Sequence, residues 1–227
     1  MDKRIIVALD SDNFDDIKFL LNTLKNEVFA FKIGYEFFFN FGLEGYKYIS
    51  NKNIKIFLDL KLHDIPNTVY KGIKAISKLK PYFTTIHLSG GDAMQKASNV
   101  SKKNTKILGV SILTSLDSNQ TKKYYFNENI KKIITSFTNY ALENELDGIV
   151  CSPKEIKTIK KISKNKLLII TPGIRPLNYI NSSDDQIRTM TPKEAILAGA
   201  DFLVIGRPIT EAKNPLKETQ LINLSLE

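Results

Sequence analysis

Phe57-Leu58-Asp59-Leu60-Lys61-Leu62-His63-Asp64-Ile65-Pro66-Asn67-Thr68 passes from one periodicity to another within a single short stretch. The run Ile54–Asp59 leading into it is almost continuously apolar, the pattern of a parallel strand buried on both faces. Beyond Pro66, a residue preorganised for a helix start, Ile73, Ile76 and Leu79 recur at helical spacing. Strand, polar turn and amphipathic helix together make one βα unit.

The same unit recurs along the chain. Strand candidates are Arg4–Asp10, Val28–Ile33, Ile54–Asp59, Phe83–Leu88, Ile107–Ser111, Gly148–Cys151, Leu167–Thr171 and Phe202–Ile205. Helical periods lie between them. Phe14, Ile17, Leu20, Leu21 and Leu24 share one face behind a cap at Asp12 or Asn13, and Ala195, Ile196 and Ala198 follow Pro192. Eight such units in 227 residues predict a single α/β domain spanning 1–227, a (β/α)8 TIM barrel. The rival is an open doubly wound sheet. Its GxGxxG fingerprint is missing, because the first strand ends in Ala8-Leu9-Asp10. No Pro- or Gly-rich linker and no internal repeat divides the chain. The least regular stretch, Thr114 to Asn129, reads as a long loop or a broken helix.

Composition narrows the function classes. With 42% hydrophobic and 25% charged residues, 11 Gly and 8 Pro, disorder, collagen and coiled coil are excluded. One cysteine, Cys151, cannot form an internal disulfide, and with only 2 histidines little is left for a metal cluster. A reducing cytoplasm is the expected setting. The start MDKRIIVALDSDN has too short an apolar run for a signal peptide. The most apolar region, Val28 to Gly42, is interrupted by Lys32 and Glu36, so no membrane span is expected. The net charge of +9 raises nucleic-acid binding, but the lysines are spread along helical segments with no reading motif. A mild pull on small anionic substrates is the simpler consequence.

In a barrel the active site forms at the C-terminal strand ends. Asp10, Lys32, Asp59, Lys61, His87, Ser111 and Arg207 all end or follow predicted strands. Strand alternation puts Asp59 and Lys61 on one face, with Asp64 following at the loop-to-helix junction. Two carboxylates beside one lysine favour its ammonium form. A Schiff-base lysine needs the reverse, so Lys61 suits a proton donor. The carboxylates would also repel a bound anionic group, which fits a reaction that expels one. The same residues could equally form an ion-pair network on a βα loop.

A second cluster follows the last two strands, in Thr171-Pro172-Gly173-Ile174-Arg175-Pro176 and Ile205-Gly206-Arg207-Pro208-Ile209-Thr210. Loops at these positions are the habitual phosphate site of the barrel. Gly206 allows close backbone approach, Pro208 starts a helix whose N-terminus favours an anion, and Arg207 offers a bidentate guanidinium. Gly and Pro building tight turns is the plainer alternative. His87 reads as a brace for the fourth strand end, His63 as a loop donor and Cys151 as buried packing. The run Phe37-Phe38-Phe39 with Phe41 reads as helix-face core or subunit contact.

Asp59-Leu60-Lys61-Leu62-His63-Asp64-Ile65-Pro66-Asn67-Thr68-Val69 closely resembles the signature of the orotidine 5′-phosphate decarboxylase family, in its bacterial form. The resemblance runs the whole chain. It takes in Val7-Ala8-Leu9-Asp10, Lys32-Ile33-Gly34, His87-Leu88-Ser89-Gly90-Gly91 and Leu113-Thr114-Ser115. It continues through the Pro172–Pro176 loop, Asp185-Gln186-Ile187-Arg188 with Met190-Thr191-Pro192, and Val204 to Thr210.

The resemblance implies that Asp10 and Lys32 hold ribose hydroxyls and that Thr114 and Ser115 face the pyrimidine, with Pro172 also against the substrate. It implies a phosphate grip by Gln186, Arg207 and the Gly206 backbone, with Arg175 nearby. Lys61 would protonate C6 as carbon dioxide leaves, within a charge network of Lys32, Asp59, Lys61 and Asp64. Asp64, Ile65 and Thr68 would cross into a partner's site, making a homodimer the active unit. Orotidine 5′-phosphate would be the substrate and UMP the product, with no metal or organic cofactor, no nucleic acid and no membrane. Sugar-phosphate enzymes of the same barrel type share the Asp-x-Lys-x-x-Asp pattern, but they use magnesium and lack the Pro-Gly-Ile-Arg-Pro loop with its Gln. A catalytically silent nucleotide- or RNA-binding barrel is a further alternative, against which the intact Asp59, Lys61 and Asp64 set argues.

Overall fold

Each apolar run becomes a short parallel strand: β1 (Ile5–Ala8), β2 (Ala30–Ile33), β3 (Ile56–Leu62), β4 (Phe83–His87), β5 (Lys106–Val110), β6 (Gly148–Val150), β7 (Leu168–Thr171) and β8 (Phe202–Ile205). The computed structural model describes residues 3–126, 129–177, 179 and 189–227. The strands pair in sequence order, and β8 closes on β1 with Ile5 opposite Leu203, so the sheet is a closed eight-stranded barrel. The expected (β/α)8 architecture is the observed one.

The helices around it are α1 (Phe14–Leu24), α2 (Tyr35–Ser50), α3 (Pro66–Leu79), α4 (Asp92–Ser101), α5 (Ser118–Tyr125), α6 (Ile130–Glu143), α7 (Ile156–Ser163), α8 (Pro192–Ala198), α9 (Arg207–Thr210) and α10 (Pro215–Ser225). Local chemistry sets several starts. Asn13 caps α1 by accepting the Asp15 N–H at 2.9 Å, and Pro66 and Pro192 open α3 and α8. In α2 the chain kinks at Gly42, whose φ of +52° suits a residue with no Cβ. The Thr114–Asn129 stretch contains α5, begun by a reciprocal capping box between Asp117 and Gln120. Only Thr121 of α5 is buried, so this helix carries no apolar stripe for periodicity to reveal.

Alternation along each strand builds two cores. Ile5, Val7 and Leu9 face the helices, whereas Ile6 and Ala8 face the barrel interior with Ala30, Phe57, Phe83, Leu108, Ile170 and Val204. That double burial is why the strands read as unbroken hydrophobics. Aromatic rings close the N-terminal end: Phe29 lies 4.2 Å from Phe202, and Tyr82 meets Phe83 edge-on at 4.7 Å between centroids. The charged side chains that border the cavity inside the barrel lie at the opposite mouth.

The aromatic filling leaves little room on the β6 side, where Gly148 stands in register between Leu108 and Leu168. A Cβ at Gly148 would meet the Leu168 carbonyl oxygen at 2.6 Å and the Leu108 side chain at 2.9 Å. Gly148→Ala should therefore destabilise the barrel by about 1–3 kcal/mol, a drop of several degrees in Tm for a chain of this size. Thermal and urea unfolding read this directly, and an unchanged midpoint would show that β7 yields without cost.

Candidate active site

Three neighbouring strands bring four charges together at the C-terminal mouth. Asp59 and Lys61 lie on β3, Lys32 on β2, and Asp10 just beyond β1. Lys61 Nζ donates to Asp59 Oδ2 at 2.8 Å, Lys32 Nζ lies 3.9 Å from the same oxygen, and Lys32 Nζ donates to Asp10 Oδ1 at 3.1 Å. The order Asp10, Lys32, Asp59, Lys61 alternates in sign throughout. Asp59 is only 7% exposed, and its other oxygen, Oδ1, accepts the Thr85 hydroxyl at 2.9 Å. A buried carboxylate requires such saturation by donors.

Asp59 and Lys61 meet as expected, but simple alternation is not the reason. β3 extends to Leu62, beyond the predicted end at Asp59, and its pairing with β4 slips on the way. Leu58 is opposite Thr84 and Leu62 is opposite Ile86, so Asp59, Leu60 and Lys61 face Thr85 alone. Lys61 takes a φ of +43°, a left-handed conformation uncommon for a residue with a Cβ. Its N–H donates to Thr85 Oγ1 at 2.9 Å. Bulges of this kind re-aim a side chain beside an active site.

Tyr35, at the start of α2, supports the bulge from the other side. Its hydroxyl donates to the Leu60 carbonyl at 3.1 Å, and its ring lies 5.7 Å from Lys61 Nζ. Burial and the Asp59 charge push the Tyr35 phenol above its usual range, keeping it a neutral donor. Neither Thr85 nor Tyr35 was anticipated from sequence. For Thr85 a signal existed: it interrupts the apolar run of β4 on the same face as Phe83.

The charged row borders a cavity of about 220 Å³. Phe57, Val110, Ile112, Val150, Cys151 and Val204 give it apolar walls, and Lys32, Asp59, Lys61, Thr114 and Pro172 complete it. An open groove of about 770 Å³ adjoins it, sharing Lys32, Pro172 and Val204, and contains Asp10, Gly173, Arg175, Gly206 and Arg207. A flat, partly apolar group with a tethered anion matches this pairing of spaces. The helix expected at Pro208 proves to be the single turn α9, so few peptide dipoles add to the charge of Arg207. Arg175 donates to the Ile174 carbonyl at 2.9 Å and lies over the Tyr179 ring at 5.5 Å.

Other expected residues stand apart from the cavity within one chain. Asp64, Ile65 and Thr68 are exposed, and Asp64 Oδ1 accepts the neighbouring Ile65 N–H at 2.7 Å. Ser115 is exposed and does not line the cavity that its neighbour Thr114 borders. Gln186 lies outside the described residues. His63 and His87 face each other with ring centroids 5.4 Å apart. Burial, then the neighbouring His63 and Lys61, pushes the His87 imidazole below its usual range. Cys151 is buried, as expected, and also lines the cavity. The phenylalanine run divides: Phe37 is fully buried, Phe38 and Phe41 pack against the core, and Phe39 is 79% exposed. Among the described residues, no group of three or more His, Cys, Asp and Glu is arranged to hold a metal ion. No helix of the described residues is long and apolar enough to cross a membrane.

Comparison with known proteins bears on the family and the fold. The family model described as orotidine 5′-phosphate decarboxylase / HUMPS family matches residues 3–222. The chain is 41% identical over 224 residues to the orotidine 5′-phosphate decarboxylase of a Wolbachia of Brugia malayi, covering 98% of each chain. It is also 41% identical to that of Ehrlichia chaffeensis, covering 98% of this chain and 96% of the relative. The crystal structure of orotidine 5′-phosphate decarboxylase from Lactobacillus acidophilus superposes with a TM-score of 0.85 at 35% identity, covering all of both chains. A barrel with an alternating charge row at its mouth and this extent of likeness is a member of the orotidine 5′-phosphate decarboxylase / HUMPS family.

Proposed function

We propose that the protein is a decarboxylase converting orotidine 5′-phosphate to UMP and carbon dioxide, acting in the cytoplasm as a homodimer. The observation that carries this reading is the row Asp10, Lys32, Asp59, Lys61 beside a small apolar cavity that opens toward two arginines. The names of the relatives favour a decarboxylase over the sugar-phosphate enzymes of the family.

The pyrimidine suits the smaller cavity, with Thr114 beside it and Ser115 reaching it on loop closure. Asp10 and Lys32 suit the ribose hydroxyls at the junction of the two spaces. Arg207, the Gly206 backbone, Arg175 and Gln186 suit the phosphate. The substrate carboxylate then lies near Asp59, which repels it and does not repel the departing neutral carbon dioxide. The C6–carboxyl bond breaks, its electron pair stays on C6, and Lys61 Nζ delivers a proton there. Water restores the ammonium. An ammonium fixed where charge develops stabilises the transition state more than the substrate. Binding at the remote phosphate helps close the site.

An ultraviolet assay with orotidine 5′-phosphate, run with and without EDTA, tests the activity and the expected independence from metal. Full turnover in chelator is the expected result. Turnover lost in EDTA and restored by magnesium would favour the sugar-phosphate type of chemistry instead.

Arg207→Ala should raise KM for orotidine 5′-phosphate strongly, by about 2–5 kcal/mol in kcat/KM, while the truncated substrate orotidine is almost indifferent. An equal penalty on both substrates would mean that Arg207 supports the fold and not the phosphate.

The shared site is supported by the exposure of the Asp64 loop, with Ile65 66% exposed and the Asp64 carboxylate turned to the N–H of its own neighbour Ile65. Lys61→Ala and Asp64→Ala homodimers should both lose nearly all turnover, while Lys61→Ala still binds UMP through the remote phosphate grip. Mixing the two inactive variants should restore about a quarter of wild-type activity, because half of the reassorted dimers carry one intact site. If subunits exchange and no activity returns, Asp64 serves its own chain.

A further inference from the structure

We propose that Thr85 is the positioning residue that holds the Asp59–Lys61 pair in its reactive geometry. The inference deepens the decarboxylase reading and rests on it. Thr85 is fully buried and uses one hydroxyl twice, donating to Asp59 Oδ1 and accepting the Lys61 N–H, each at 2.9 Å. It is the single β4 residue opposite the three bulged residues of β3. An ordinary parallel ladder would give the Lys61 N–H a backbone carbonyl. The slipped register offers it the threonine oxygen, so a side chain stands in for a rung of the sheet.

The consequences follow from what the hydroxyl connects. Lys61 sits at φ +43°, a conformation disfavoured for a residue with a Cβ and kept only where its surroundings fix it. Tyr35 secures the Leu60 carbonyl, and Thr85 secures the Lys61 amide one residue further on. The same Thr85 oxygen orients the Asp59 carboxylate so that Oδ2 faces Lys61 Nζ at 2.8 Å. Backbone and carboxylate are thereby referred to one atom on a rigid strand. Thr85 itself lines neither the cavity nor the groove, so its hydroxyl acts through Asp59 and Lys61 and not on a bound molecule.

Thr85→Val replaces the hydroxyl by a methyl of similar size, and Thr85→Ser keeps the hydroxyl and deletes the methyl. Misplacing a catalytic group by about 1 Å costs about 100-fold in rate, so Thr85→Val should lose about 100-fold in kcat. KM and UMP affinity should stay within about threefold, because the phosphate contacts are remote. Thr85→Ser should recover to within about tenfold of wild type. A residue that merely supports the fold would not divide kcat from KM, nor favour serine over valine. Amide hydrogen exchange adds a readout independent of turnover: the Lys61 N–H should exchange faster in Thr85→Val than in wild type or Thr85→Ser, with the rest of β3 unchanged. Should the valine protein not fold, Thr85→Ala, which places no methyl against Asp59, takes its place in every arm. Wild-type kcat in the valine or alanine variant, or a serine variant as impaired as valine, overturns the proposal. Wild-type protein that does not turn over orotidine 5′-phosphate overturns the decarboxylase reading instead, and unaltered Lys61 exchange in Thr85→Val overturns the positioning role whatever the substrate.

Discussion

Asp59 is a carboxylate withdrawn almost completely from water, and burying one ion without partners costs on the order of several kcal/mol. Both of its oxygens must therefore be met by donors or cations, and these come from three strands. Lys32 reaches it from β2, Lys61 through the bulge of β3, and Thr85 from β4. The register of β2, β3 and β4 is thus tied to the requirements of one side chain. Lys32 in turn carries the chain of charges on to Asp10, which stands at the more open end of the row.

The barrel supplies the asymmetry that makes this arrangement tolerable. Its N-terminal end is closed by Phe29, Tyr82, Phe83 and Phe202, so water reaches the interior charges from the other mouth. Apolar walls at Phe57, Val110, Val150 and Val204 lower the local dielectric beside Lys61. Electrostatic interactions act more strongly in such surroundings than in bulk water. The network is weak evidence for stability, since desolvation offsets much of its attraction. Its value lies in fixed orientation, held by strands rather than by loops.

The loop after β3 has a different character. From His63 to Thr68 every residue is exposed in the single chain, including Ile65, in contrast to the saturated hydrogen bonding a few residues earlier. In the proposed dimer the side chains of Asp64, Ile65 and Thr68 meet a second copy. The catalytic row would then be divided between a part that the barrel completes by itself and a part that assembly completes.

Much of this was legible in the sequence. Strands buried on both faces must be apolar at nearly every position, so the runs from Arg4 to Ile205 announced all eight within a few residues of their ends. Helix starts depend on neighbours in sequence, which is why Pro66 and Pro192 could be read directly and the α1 cap narrowed to Asp12 or Asn13. The polar residues at strand ends identified Asp10, Lys32, Asp59, Lys61 and Arg207, because a barrel places strand ends together. The helix α5, with Thr121 its one buried residue, left no such trace. The sequence by itself determined the barrel and the residue types at its mouth, since both follow from burial and local chemistry. Only the tertiary structure decided how Asp59 and Lys61 meet. The slip that places both opposite Thr85, and the left-handed backbone at Lys61, arise from pairing with a strand more than twenty residues away, and no local pattern encodes a register that two strands settle between them.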